Sequence, residues 1–134
     1  MKFTEMTYTR PDPETVKKEL QQLTERLRNA DGYETARAVF LEKEEKGKTV
    51  ETMGSLAYIR HSIDTRDEFY NGEIEFWDEI GPEVEEYEQE WLSALLESPF
   101  RADFEKEYGS LLFLNAEIDR VLAEIMEKLG GVQL

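Results

Sequence analysis

ETMGSLAYIRHSIDTRDEFYNGEIEFWDEIGP, from Glu51 to Pro82, decides the fold. It reads as the end of one helix, a tight turn and the start of another. Met53, Ala57 and Ile63 continue an apolar phase that begins upstream. Gly54, Ser55 and Ala57 are small enough to let a neighbouring helix approach closely. Thr65-Arg66-Asp67-Glu68 has the form of a capping box, with Thr65 as the cap and Glu68 reaching back. Phe69, Glu73, Phe76, Ile80, Val84, Tyr87, Trp91 and Leu95 then keep helical phase, with Glu73 the polar exception. Trp77 and Leu96 widen the stripe. Because the phase survives Gly81-Pro82, the spacing predicts one kinked helix and not two. Two long amphipathic helices joined by so short a turn become antiparallel neighbours.

Upstream, Ala36, Val39 and Phe40 mark the buried side of the first long helix, which passes through a polar stretch from Glu42 to Lys48 and ends near Ser62. Gly47 and Gly54 each cost it about 1 kcal/mol relative to Ala. Its start is expected near Tyr33, with Asp31 as cap. Before it, Asp12 caps and Pro13 opens a shorter helix with Val16, Leu20, Leu23 and Leu27 in phase, stopping near Asn29 ahead of the Asp31-Gly32 turn. The first eleven residues read as extended. Downstream, Ser98-Pro99 opens a short helix with Phe100 and Phe104 facing inward and Gly109 closing it. Ser110 is the expected cap of a last helix, whose buried stripe is Leu111, Leu114, Ile118, Val121, Leu122, Ile125 and Leu129, halted by Gly130-Gly131. No segment alternates with a period of two, and no repeat is visible. The expected fold class is all-α: an elongated bundle of about five helices with two long antiparallel helices, residues 1–134 forming a single helical domain.

The chain of 134 residues is large enough for a core of its own and contains no cysteine, which excludes disulfides, thiolate metal sites and cysteine nucleophiles. Its formal charge of −15 repels nucleic acid and anionic membrane. The charge is uneven: twelve carboxylates and no lysine or arginine lie between Asp67 and Glu97, whereas Tyr33 to Ile63 carries five of each sign. No run approaches the roughly 20 apolar residues of a membrane span, and the opening residues lack a signal-peptide core. A cytoplasmic location is the expectation.

Chemistry is sparse. His61 is the only histidine. A helical zinc protease site needs two histidines one turn apart with a glutamate, and a di-iron bundle needs Glu-x-x-His twice. No strand-turn-helix elbow presents a serine, and no glycine-rich loop leads into a helix. The densest polar group is Arg60, His61, Asp64, Arg66 and Asp67, at the corner between the two long helices. Arg60 and His61 suit a helix C-terminus and Asp67 an N-terminus, so helix-end electrostatics account for them. The same corner is the candidate contact with a second domain or a peptide.

Three segments carry a resemblance: Glu51 to Pro82 above, KFTEMTYTRPD from Lys2 to Asp12, and LLESPFRADFEKEYG from Leu95 to Gly109. In order and spacing they resemble the N-terminal region of oligoendopeptidase F-type enzymes, zinc metallopeptidases of the M3 family, over residues 1–118. The resemblance implies a helical domain that walls one side of a deep cleft for short peptides. The zinc, the His-Glu-x-x-His helix and a later glutamate would then lie in a catalytic domain absent from this chain, which carries no catalytic residue, metal ligand or cofactor. Expected partners are that catalytic domain or a second copy in a homodimer, with short peptides in the full-length context. Leu92, Leu112 and Phe113, off the main stripes, are the expected bare apolar surface. The alternative is a stand-alone acidic helical interaction or regulatory module whose third helix docks a basic partner.

Overall fold

The computed structural model of the protein describes residues 5–130. Five helices follow a short irregular segment: α1 (Pro13–Arg28), α2 (Tyr33–Ile63), α3 (Glu68–Leu96), α4 (Arg101–Tyr108) and α5 (Leu111–Gly130). No strand is present among the described residues. The all-α bundle of five helices is as expected. Lys2 to Thr4 of the opening segment, and Gly131, lie outside the described residues.

The ends of the helices follow local hydrogen-bond supply. Asp12 caps α1, its Oδ2 accepting from Thr15 N at 3.2 Å, with Pro13 in the first turn. Three expected helix starts are corrected, at Asp31, Thr65 and Ser98. Asp31 does not cap α2; Gly32 holds the cap position in an extended conformation and offers no side chain. Thr65 does not cap α3; Asp67 does, its Oδ1 accepting from Phe69 N at 2.9 Å and Tyr70 N at 3.4 Å. A carboxylate directly before the helix meets both the orphan amides and the positive end of the dipole, so it wins over a threonine two residues earlier. α4 begins at Arg101, because Ser98 first closes a turn: its Oγ accepts from Phe100 N at 3.1 Å and its carbonyl from Arg101 N at 3.2 Å. Gly109, at φ 89°, ends α4 in a conformation that side chains disfavour. α3 runs unbroken through Pro82, which is exposed, so the lost backbone bond falls on the solvent side.

α2 and α3 lie antiparallel. Arg60 meets Tyr70, Trp77 covers Gly54, and Lys43 pairs with Glu88. At Gly54 an added methyl would sit 3.5 Å from the indole ring, in ordinary contact, so a small residue and not strictly a glycine is what the crossing requires. α1 lies against both long helices through Leu20, Leu23 and Leu27. These meet Ala36, Val39 and Phe40 of α2 and Trp91, Ala94 and Leu95 of α3 in one core. Phe104 of α4 plugs its end, with its ring 5.1 Å from Tyr33, 5.4 Å from Phe40 and 6.4 Å from Phe113.

α5 is rotated relative to the expected stripe. Its buried residues are Phe113 and Ala116. Leu111, Leu114, Ile118, Val121, Leu122, Ile125 and Leu129 are all exposed, by 46 to 66%. Phe113, expected on the surface, is 1% exposed, and Leu92 and Leu112 are half-buried. Phe69 is likewise exposed, whereas Glu73 in the same stripe is buried. The rotation makes an energetic contrast. Phe113→Ala should cost about 3–5 kcal/mol of unfolding free energy through the lost ring and the cavity left behind. Leu114→Ala should stay within about 0.5 kcal/mol, as surface changes do. Urea unfolding of both variants checks this; a larger loss for Leu114→Ala would place α5 in the opposite rotation.

Candidate functional site

The five corner residues divide among separate tasks. Arg60 donates from Nη1 to the Tyr70 hydroxyl at 3.0 Å and from Nη2 to the Met6 carbonyl. Asp67 is the α3 cap. Asp64 accepts from Arg66 N at 3.0 Å and lies 3.4 Å from Arg66 Nε, at an exposed turn. His61 keeps a buried Nδ1 without a hydrogen-bond partner. Arg60 is the member that reaches out of the corner, and it reaches toward the opening segment.

That segment builds the network that sequence reasoning missed. Residues 6–12 cross the α2–α3 pair. Trp77 Nε1 donates to the Tyr8 hydroxyl oxygen at 3.0 Å, and Tyr8 in turn donates to Glu73 Oε1 at 2.7 Å. Arg10 donates from Nε to the same Oε1 at 3.0 Å and from Nη2 to Oε2. The Arg10 guanidinium also lies 4.3 Å from the centre of the Phe76 ring. Glu73 is 3% exposed, so its charge survives burial only because both oxygens are met. The Arg10 hydrogen bonds hold its carboxyl below the usual carboxylate range against the opposing pull of burial. Burial, followed by the bond to Glu73, pushes the Tyr8 hydroxyl up to about 12. A carboxylate so fully engaged is a clamp and not a free base. The one signal for it in the sequence was Glu73 itself, a charge in the apolar phase of α3.

A second feature is the bare side of α5. Its exposed apolar residues line up over five turns and continue into an open groove of about 860 Å³ between α2, α3 and α5. Trp91, Leu95 and Leu112 floor the groove, and Leu122, Ala123 and Met126 form its α5 wall.

Against known proteins, the profile of the Peptidase M3 N-terminal domain matches residues 3–122. The chain belongs to that family. Solved structures agree. A candidate oligoendopeptidase F from Bacillus anthracis is 40% identical with a TM-score of 0.86, over 90% of this chain and 22% of that one. A second candidate oligoendopeptidase F is 37% identical with a TM-score of 0.86, over 90% of this chain and 21% of that one. A Pz peptidase A solved with an inhibitor is 37% identical with a TM-score of 0.85, over 89% of this chain and 21% of that one. Among curated proteins no match is found. The M3 domain described here thus spans about a fifth of the length of the structures it matches.

The zinc that the M3 resemblance implies does not fit these residues. Among the described residues no three His, Cys, Asp or Glu side chains gather in a group able to hold a metal ion, and His61 is the only histidine of the chain. No helix among the described residues is long and apolar enough to cross a membrane.

The clamp has a pH signature. Because the folded Glu73 carboxyl sits below its unfolded value, its contribution is complete above the unfolded pKa and drains away as pH falls through the folded one. Glu73→Gln should lower stability by about 1–3 kcal/mol at neutral pH, and the gap to the parent should begin to shrink near the ordinary glutamate pKa of about 4.3 and close as pH falls through the lower folded value. Tyr8 has the opposite sense: its contribution is whole below the ordinary phenol pKa and is lost as pH rises through about 12. Urea unfolding of Glu73→Gln and Tyr8→Phe across pH measures both; a gap for Glu73→Gln that widens in acid would overturn the assignment.

Proposed function

We propose that this chain is the N-terminal, cleft-forming helical domain of an oligoendopeptidase F-like metallopeptidase and does not hydrolyse peptides by itself. The observation that carries the proposal is the bare apolar side of α5 in a chain of the M3 N-terminal family. A row of leucine, isoleucine and valine left to solvent over this length marks a contact surface. That nearly four-fifths of each matched structure lies beyond the matched part supports a further domain as its occupant. The zinc chemistry belongs to that remainder, and no residue of this chain is assigned a step in it. At the other end of the bundle, Arg66 and Asp64 stand exposed on the α2–α3 turn and are available to a neighbouring domain or a peptide.

The acidity of α3 gives less support to a stand-alone docking module. Glu83 is paired to Lys17, Glu88 to Lys43 and Glu90 to Arg28, so part of the acidic run serves the bundle itself.

A graft tests the proposal. Residues 3–122 placed in the matching position of the Bacillus anthracis candidate oligoendopeptidase F should hydrolyse a quenched fluorescent oligopeptide. The chain alone, with zinc added, should not. Ile118→Asp with Val121→Asp in the graft should reduce kcat/KM by about tenfold or more, because a carboxylate would be buried unpaired at the contact. A helical but inactive graft, or full activity with both aspartates in place, would defeat the reading.

A further inference from the structure

We propose that the groove between α2, α3 and α5 is the seat of one basic amphipathic helix, with leucine-like side chains on its inner face and lysine or arginine along its flanks. The inference rests on the peptidase reading for where that helix resides, in the polypeptide beyond this domain, but the chemistry is written in the groove itself. The floor is apolar: Trp91 is buried beneath it, and Leu92 and Leu112 are half-covered. Leu122 and Met126 lean over it from α5, 53 and 67% exposed.

The walls are acidic on all three sides. Glu44 and Glu51 stand on α2, Glu85 and Glu88 on α3, and Asp119 on α5. The basic lining residue is Lys43, and its ammonium is already 3.1 Å from Glu88. An apolar occupant without charge would displace water from beside the remaining carboxylates and offer them no counter-charge. An acidic occupant would repel them. Basic flanks supply the counter-charge, and they also select against the wrong partner.

The form of the occupant follows from what the groove lacks. No strand edge exists among the described residues, so an extended peptide would find no backbone ladder to join. A helix satisfies its own backbone and presents side chains at i, i+3, i+4 and i+7. From Leu112 in the floor to Met126 in the wall, the α5 side of the groove runs about 20 Å at 1.5 Å per residue, the length of roughly four helical turns.

Three synthetic peptides of about 15 residues test this against the 134-residue chain by NMR. The first has leucine at helical-stripe spacing and lysine elsewhere. The second has glutamate for lysine. The third scrambles the first so that no stripe forms. The first should bind, shifting Leu92, Leu112, Leu122 and Met126, and should weaken about tenfold or more as salt rises from roughly 50 to 500 mM. The other two should not bind. Glu44→Lys with Glu51→Lys and Glu85→Lys should weaken binding about tenfold or more, whereas Glu25→Lys with Glu68→Lys and Glu79→Lys, an equal change in net charge away from the groove, should weaken it less than about threefold. Binding of the scrambled peptide, or equal losses in the two charge variants, would reduce the effect to attraction by the net charge and overturn the proposal. Self-association of the chain through the groove would assign it to a second copy instead. A failed peptide leaves the graft experiment untouched, so the two readings fall separately.

Discussion

The contact between α2 and α3 changes its chemistry along its length, and the other elements are placed by those changes. α2 has 31 residues, about 46 Å at 1.5 Å per residue, too long for one uniform stripe against one partner. Its first turns bury Ala36, Val39 and Phe40 in the main core. Its middle reaches its neighbours through cations, Lys43 to Glu88 and Lys46 to Glu19. Its last turns pass Gly54 beneath Trp77 and bury Leu56 and Ala57. Where the apolar contact is rich, α1 and α4 close over it. Where it is thin, the opening segment is laid across and tied down at Glu73.

The ion pairs around α3 set alignment more than stability. The pairs of Lys17 and Arg28 are exposed on at least one side and that of Lys43 is half-buried; pairs open to solvent contribute from nothing to about 1 kcal/mol. Together, though, they fix which neighbour each part of the acidic helix can accept. Lys17 and Arg28 at the two ends of α1 meet Glu83 and Glu90, so α1 runs in the direction of α3. Arg26 and Lys46 meet Glu42 and Glu19, so it runs against α2. A shifted α1 would set its bases against solvent and leave like charges on α3 uncompensated. The same logic ties α4 to α2 through Tyr33, Arg37 and Glu107, and α4 to α5 through Arg101 and Glu117.

Helix number, order and approximate limits were legible because each turn has its own punctuation: Asp12-Pro13, Asp31-Gly32, Ser98-Pro99 and Gly109. The caps of α2 and α3 were read one or two residues early, since aspartate, threonine and glycine compete at both places and only the backbone decides. The rotation of α5 was ambiguous for a deeper reason. Leu111, Leu112, Phe113 and Leu114 are consecutive, so two faces of that turn are equally apolar. Counting favoured the longer row. Packing favoured the aromatic, because Phe113 extends the Phe104 cluster and Arg101 can lie over its ring at 4.7 Å. The Tyr8–Arg10–Glu73 clamp joins residues more than sixty positions apart, and no local pattern in the sequence reports such a pairing.

A helix that is apolar all round belongs inside a protein. α5 meets that condition only in its first turns, before Glu117, Arg120 and Glu124 make its inner side polar: Phe113 and Ala116 are buried there, and the opposite side carries an aliphatic row along the helix. Folding the domain uses only the smaller side, so the larger is not a by-product of making the core. Nor does solubility explain it, because an exposed row of this kind promotes association. The peptidase reading accounts for both sides with one requirement: α5 is the boundary between this bundle and a further layer of protein. On the proposal of a basic helical occupant, the groove beside α5 would add specificity to that boundary. Apolar contact alone would accept any greasy helix in any register, whereas on the proposal above the carboxylates on three walls would select a flanked, oriented one. On that proposal area supplies affinity and charge supplies choice: Glu44, Glu51, Glu85, Glu88 and Asp119 stand around the apolar floor, while Glu42, Glu83, Glu90 and Glu117 serve the ion pairs of the bundle.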